Sequence, residues 1–323
     1  MVILDGSASR HANVCMAVTT VSAHPRFSAG ALPARFRRIR LLIVGCGDVG
    51  LRAADLLPAT LGRLALTSSP ERREALRGRG IVPLAGDLDD PASLRRLAGL
   101  AQRVLVLAPP PGQGEGDPRT VALLRALALR TRPRALVYGS TSGVYGDCGG
   151  ALIDETRAVR PATARGRRRV AAEQAVRRFG RGGSRVSVLR IPGIYAPDRE
   201  GGTPRARLLR GTPVLREEDD VHTSHIHADD LARACLAAMW RGGAQRVYHV
   251  NDDTRLKMGD YFALAARLYG LPPPPRVDRA TAAALLSPMQ LSFMSESRQL
   301  DAGRMKRELG LRLRYPTVAD GLA

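Results

Sequence analysis

Gly45, Gly47 and Gly50 stand at G-x-G-x-x-G spacing directly behind the apolar run Leu41, Leu42, Ile43 and Val44. This pattern does its chemistry with backbone. The first glycine permits a tight turn out of a strand. The second removes a side chain where a pyrophosphate must touch the main chain. The third lets the next helix lie close on the sheet. The helix N-terminus then turns free N–H groups and a partial positive charge toward phosphates. Asp48 and Val49 lie inside this turn and join the same phosphate-binding set. A dinucleotide is the expected ligand.

The next strand sharpens that expectation. An NAD-preferring site puts an acid near its end to bond the ribose hydroxyls. Here the strand ends Thr67, Ser68, Ser69, Pro70, with no acid until Glu71 and with Arg72 and Arg73 behind it. Ser68 and Arg72 suit a 2′-phosphate, so NADP is favoured, while Glu71 keeps NAD open. His225, His227, Asp229 and Asp230 form a second polar group. A metal site would use such residues, and so would a helix opened by an aspartate cap.

Alternating strands and helices must position these groups. Strands are expected at 41–44, 63–67, 81–84, 103–107, 134–138 and 185–190. Helices are expected at 49–57, 70–79 with Ser69 as N-cap, 91–98, 118–130 with Asp117 as N-cap, and 161–179. Repeated β–α units of this length imply a Rossmann-type doubly wound parallel sheet with helices on both faces. Past residue 190 the pattern loosens: a helix at 228–240, a strand at 246–250, a helix at 258–269, and short helices near 279–286 and 301–309. The expected division is 39–190 as an NAD(P)-binding core and 191–323 as a small lobe interleaved with the last core strand and helix. Residues 1–38, rich in Ser, Ala and Arg, read as a disordered extension.

Composition narrows the classes. The chain of 323 residues is 44% hydrophobic, ample for a core. Aromatics make up 4%, too few for a base-stacking platform. Cys15, Cys46, Cys148 and Cys235 form no C-x-x-C pair, which fits a reducing cytoplasm. No apolar run reaches the roughly 18 residues of a membrane span. Net charge is +20, yet Lys occurs only at Lys257 and Lys306. So lopsided a use of Arg points to coding bias and a solvated surface, and nucleic-acid binding is the weaker reading.

Taken together, G-C-G-D-V-G, G-D-L at 86–88, S-T-S-G-V-Y-G-D at 140–147, R-I-P-G-I-Y at 190–195 and H-I-H-A-D-D-L-A at 225–232 resemble the extended, atypical short-chain dehydrogenase/reductase superfamily. The likeness is to its NAD-dependent epimerase/dehydratase branch and runs from about Leu41 to Leu322. It implies that Asp87, with Leu88 beside it, meets the adenine, that Ala108 and Pro109 pass beneath the cofactor, and that Pro192 and Gly193 pack on the nicotinamide. It puts Thr141 in the Ser/Thr position that polarises a substrate oxygen.

Active relatives add a Tyr-x-x-x-Lys pair, the Tyr moving the proton and the Lys tuning it and holding the ribose. Counting back from Glu173 puts Arg165 and Arg169 in those two positions. A guanidinium keeps its proton near neutrality and is no general acid. The resemblance then leaves Tyr145 as the nearest substitute proton donor, Arg169 as a ribose or phosphate ligand, and Arg165 as a substrate ligand. Arg199, Arg205, Arg207 and Arg210 fall in a loop that touches substrate in relatives. The implied protein is an oxidoreductase or epimerase-like enzyme working by hydride transfer on a small hydroxyl or carbonyl compound. The alternative is a dinucleotide-binding sensor without turnover. Relatives also dimerise through the helices starting near Pro118 and Pro161.

Overall fold

A parallel strand covered on both faces needs apolar side chains at every position, and Arg40–Val44 (β1) supplies them. Leu41 and Ile43 point into one core, Leu42 and Val44 into another. The same division runs through Gly62–Thr67 (β2), Arg103–Val106 (β4), Ala135–Thr141 (β5), Arg185–Ile191 (β6) and Arg246–His249 (β7), whereas the edge strand Val82–Ala85 (β3) reaches only the second core, through Leu84. All seven pair in parallel, in the order β3-β2-β1-β4-β5-β6-β7. The computed structural model describes residues 38–323, so all of the expected extension except Arg38 lies outside the described residues.

Helices Asp48–Asp55 (α1), Ala228–Arg241 (α6) and Gly303–Leu309 (α10) cover one face, with Ala53, Leu231, Met239 and Met305 buried there. Helices Pro118–Ala128 (α3) and Ala164–Gly180 (α4) cover the other, through Leu123, Leu127, Val176 and Phe179. The fold is the doubly wound α/β sheet expected. Helix Arg72–Gly78 (α2) stands between β2 and β3. The lobe consists of Arg205–Leu209 (α5), Met258–Leu268 (α7), Arg279–Leu285 (α8), Pro288–Phe293 (α9) and Val318–Leu322 (α11), tied by two- and three-residue parallel or antiparallel bridges. Tyr261, Phe262, Leu208, Val214, Val318 and Leu322 form its own core.

Local chemistry explains where the elements depart from expectation. Ser69 is not a cap. Its N–H is taken by Thr67 Oγ1, and α2 starts at Arg72 behind Glu71 without a side-chain cap. Residues 91–98 make only a 3₁₀ turn, Ser93–Leu97, because Asp87 and Asp90 close side-chain turns and Ser93 Oγ bonds the Asp90 carbonyl. Helix α4 starts at Ala164, capped by Thr163, whose Oγ1 accepts from the Gly166 N–H at 3.1 Å. Helix α6 is opened by His227 rather than by an aspartate: its Nδ1 accepts from the Asp229 N–H at 3.2 Å. The cap at Asp117 stands, with its carboxylate accepting from the Thr120 N–H.

Candidate functional site

The glycine turn is shaped as the spacing requires. Gly45 has φ +83°, and a Cβ there would sit 2.3 Å from the Ala108 nitrogen. Gly50 lies on β1, where a Cβ would come 3.2 Å from Ile43 Cγ2. Gly47 differs from both: a Cβ there would meet nothing within 4 Å, so its outer side is open. It is also the N-cap of α1 and offers no side-chain cap, which keeps the first-turn N–H groups for a ligand. Val49 is buried beneath the turn. The residues present therefore fit a pyrophosphate at this point.

Around the turn the other expected cofactor residues hold varied posts. Arg72 lays its guanidinium over it, donating to the Cys46 carbonyl at 2.6 Å. Ser68 and Glu71 are exposed at the end of β2 and the start of α2. Asp87 is an exposed turn aspartate whose Oδ1 accepts from the Asp89 N–H, and Leu88 packs on the α3 core. Ala108 is buried against Gly45, and Pro109 is exposed. The Asp48 carboxylate is turned to Arg52, which also binds Asp198 at 2.7 Å and Asp229 at 2.6 Å. One guanidinium thus ties α1, the loop after β6 and α6 together. Arg199, expected at the substrate, instead stands 3.7 Å from Asp48 and does not line the cavity.

That cavity, of about 840 Å³, opens where β5 and β6 end and the lobe begins. Thr141, Pro192 and Gly193 line its sheet side, and so do Arg165 and Arg169, one helical turn apart on α4. Thr141 Oγ1 accepts from the Gly143 N–H at 3.2 Å. Arg169 donates one nitrogen to the Gly139 carbonyl at 2.8 Å and to Tyr138 at 3.1 Å. Arg165 stacks on Phe293, 5.0 Å from its ring centre. Burial lowers the proton affinity of Arg165, and the Glu296 carboxylate partly restores it.

Tyr145 does not reach this cavity, which corrects its assignment as proton donor. Its ring is 2% exposed, its hydroxyl receives a bond from Arg190 at 2.6 Å and contacts His249 Nε2 at 2.5 Å. His249 Nδ1 stands 3.2 Å from the Asp301 carbonyl, so it carries the proton there and Tyr145 donates to Nε2. Burial pushes the phenol up to about 12, with Arg190 opposing. Arg190 in turn pairs with buried Glu173 at 2.8 Å, and Ser140 donates to the same carboxylate at 2.6 Å. The V-Y-G tyrosine is a packing residue in a closed polar chain.

Other lining residues carry no local motif. Arg207 on α5, Tyr261 and Phe262 on α7, and Phe293, Glu296 and Arg298 near the end of α9 come from three separate segments of the sequence. The resemblance points to the loop of Arg207, and the apolar periodicity of 258–269 to the helix of Tyr261 and Phe262; the third segment carries no signal. Arg205 and Arg210 are exposed beside Arg207. His225 lines the cavity floor, stacked on Tyr261 with ring centres 4.2 Å apart, and burial lowers its pKa to about 4.

With this geometry in view, three comparisons bear on identity. The profile of the NAD dependent epimerase/dehydratase family matches residues 119–251. A "3-diazoavenalumate denitrifying reductase" from Streptomyces sp is 32% identical over 139 residues, 42% of this chain and 45% of that one, so the match spans under half the relative's length. A functionally unknown conserved protein from Silicibacter pomeroyi is 34% identical, with TM-score 0.74 over 88% of this chain and 96% of its own. A dTDP-glucose 4,6-dehydratase double mutant from Streptomyces venezuelae, solved with NAD and DAU bound, shares the fold at TM-score 0.70 and 21% identity over 88% of this chain and 94% of its own. Residues 119–251 thus match the NAD dependent epimerase/dehydratase family, and over 88% of its length the chain shares its fold with the Silicibacter pomeroyi protein.

Proposed function

We propose that the protein is an NAD(P)-dependent oxidoreductase that reduces a small substrate held in the 840 Å³ cavity. The observation that carries this reading is the open side of Gly47 above an uncapped helix start, on the same sheet end as Thr141, Pro192 and Gly193. Residues 39–190 make the cofactor half, and 191–323 a substrate lobe interleaved with the last core strand and helix. Gly45, Gly47 and Gly50 with the first turn of α1 take the pyrophosphate, and Arg169 the ribose. The nicotinamide supplies hydride when bound. Thr141 and Arg165 face the acceptor and stabilise negative charge as it develops there, because preorganised donors in a partly dry site act most strongly on nascent charge. Arg165 keeps its proton, so water delivers the proton that completes the product.

NADP is the preferred form in this reading. Arg72 sits on the glycine turn, and Glu71, the first acid after β2, is exposed at the head of α2. Titration with NADPH and NADH, followed by their fluorescence, tests it. Arg72→Ala is expected to weaken NADPH about tenfold and NADH little, the size of one charge-assisted contact. Equal binding of both forms by the wild type would remove the preference. A non-catalytic sensor is the second reading, favoured by the inward placing of Tyr145 and by Arg at both family positions. Hydride transfer to any carbonyl or other acceptor in single turnover sinks it. We carry a homodimer through α3 and α4, which pack side by side, as part of the proposal. Light scattering on a sizing column decides it.

A further inference from the structure

Arg207 and Arg165 share an unusual state. Both line the cavity, each stacks on a phenyl ring, Arg207 on Phe262 at 4.4 Å and Arg165 on Phe293 at 5.0 Å. Among the described residues neither guanidinium has a hydrogen-bond or ion-pair partner, and the Nε and Nη2 atoms of Arg207 are buried without one. A desolvated cation is costly; the Glu296 carboxylate offsets part of that cost at Arg165, and an anion entering the cavity would relieve it at Arg207. Burial lowers the proton affinity of Arg207, and Arg210, another cation, lowers it further.

The lobe wall also carries a large apolar share. Helix α9 buries none of its own residues; Met289 is 70% exposed and Phe293 45%, and both line the cavity. Tyr261, Phe262 and Met258 complete that wall. The whole chain has only five Phe, seven Tyr and one Trp, yet Tyr195, Tyr261, Phe262 and Phe293 converge here. A second charge selects the anion. Glu296 is 9% exposed, has one carboxylate oxygen without a partner and pairs the other with Arg298 at 2.7 Å. A diphosphate would face that carboxylate with more than one negative charge. A monoanion with a flat apolar body would not.

We propose that the cavity takes an aromatic monocarboxylate, its carboxylate held by Arg207 and its ring laid on the wall of Phe262, Tyr261 and Phe293, rather than a nucleotide-linked sugar. The inference rests on the oxidoreductase reading for its meaning as substrate recognition, but its test is a binding test. Calorimetry on the wild-type chain would compare trans-cinnamate, its neutral amide cinnamamide, and UDP-glucose, each with and without NADPH. Cinnamate is expected to bind about tenfold or more tighter than the amide, the span of one guanidinium–carboxylate contact, and UDP-glucose to bind more weakly than either. Arg207→Gln is expected to bring cinnamate down to the level of the amide, and Arg207→Lys to recover only part of the loss, since an ammonium lacks the planar fork.

Equal binding of cinnamate and cinnamamide to the wild type overturns the proposal, and so does tighter binding of UDP-glucose. Should Arg207→Gln fold poorly, the wild-type comparison and Arg207→Lys still decide. NADPH binding in the same samples separates the two readings. NADPH without cinnamate leaves the oxidoreductase and removes the carboxylate site; cinnamate without NADPH does the reverse.

Discussion

Gly45 and Gly47 are two residues apart and alike in composition, yet they answer to different forces. Gly45 is held at positive φ with the Ala108 backbone where its side chain would be. Gly45→Ala is expected to cost more than about 2 kcal/mol or to prevent folding, since both the dihedral and the clash oppose it. Gly47 has φ −83° and open space beyond it. Gly47→Val should leave the melting temperature within a few degrees of wild type and lower NADPH affinity more than about tenfold, by filling the place of the pyrophosphate. Unfolding midpoints and fluorescence titration of the two variants separate these effects. A spacing rule made this turn legible because its function lies in the backbone of consecutive residues. Tyr145 shows the opposite case. Its neighbours Arg190 and His249 are 45 and 104 residues away, so nothing within V-Y-G tells whether the phenol faces a cavity or the interior.

Between β5, α4, β6 and β7 runs the closed chain Ser140, Glu173, Arg190, Tyr145 and His249. Glu173→Gln leaves Arg190 buried without its counter-charge and is expected to destabilise by about 3–5 kcal/mol, read from urea unfolding. His249 adds a pH dependence. Burial, with Arg190 assisting, lowers its pKa from 6.5 to about 3. Below pH 6.5 the unfolded chain takes up a proton here that the folded chain refuses, so this contribution to stability falls as pH falls, down to about 3. Compared with His249→Gln, the wild type should lose its advantage by about 1.4 kcal/mol per pH unit through that window, whatever other groups titrate. A difference that stays constant between pH 6 and 4, roughly the span of one full proton, would show that His249 is not held neutral. The strands of these elements were readable because both faces of the sheet are apolar. The starts of α2, α4 and α6 were less so, since Thr67, Thr163 and His227 decide them by side-chain bonds that several nearby residues could equally have made.

At the scale of the whole chain, +20 net charge on 323 residues works against compactness. Raising NaCl from about 20 mM to about 200 mM should therefore raise the melting temperature by a few degrees, as the Debye length shrinks. A fall instead would mean that ion pairs such as those around Arg52 outweigh the repulsion. The order of elements let the sheet be foreseen, with a further strand at 246–250, but that strand's place at the edge beside β6 was not. The cavity was not foreseeable in the same way. Arg207, Phe262, Phe293 and Glu296 meet only after the loops beyond β6 have folded back over the strand ends.

One wall of that cavity belongs to the sheet and to α4; the other is carried on the short helices α5, α7 and α9. Descent can rework the second without disturbing the first. Under the proposed function, exchanging a few helical turns would change which ligand is accepted and leave the glycine turn as it is.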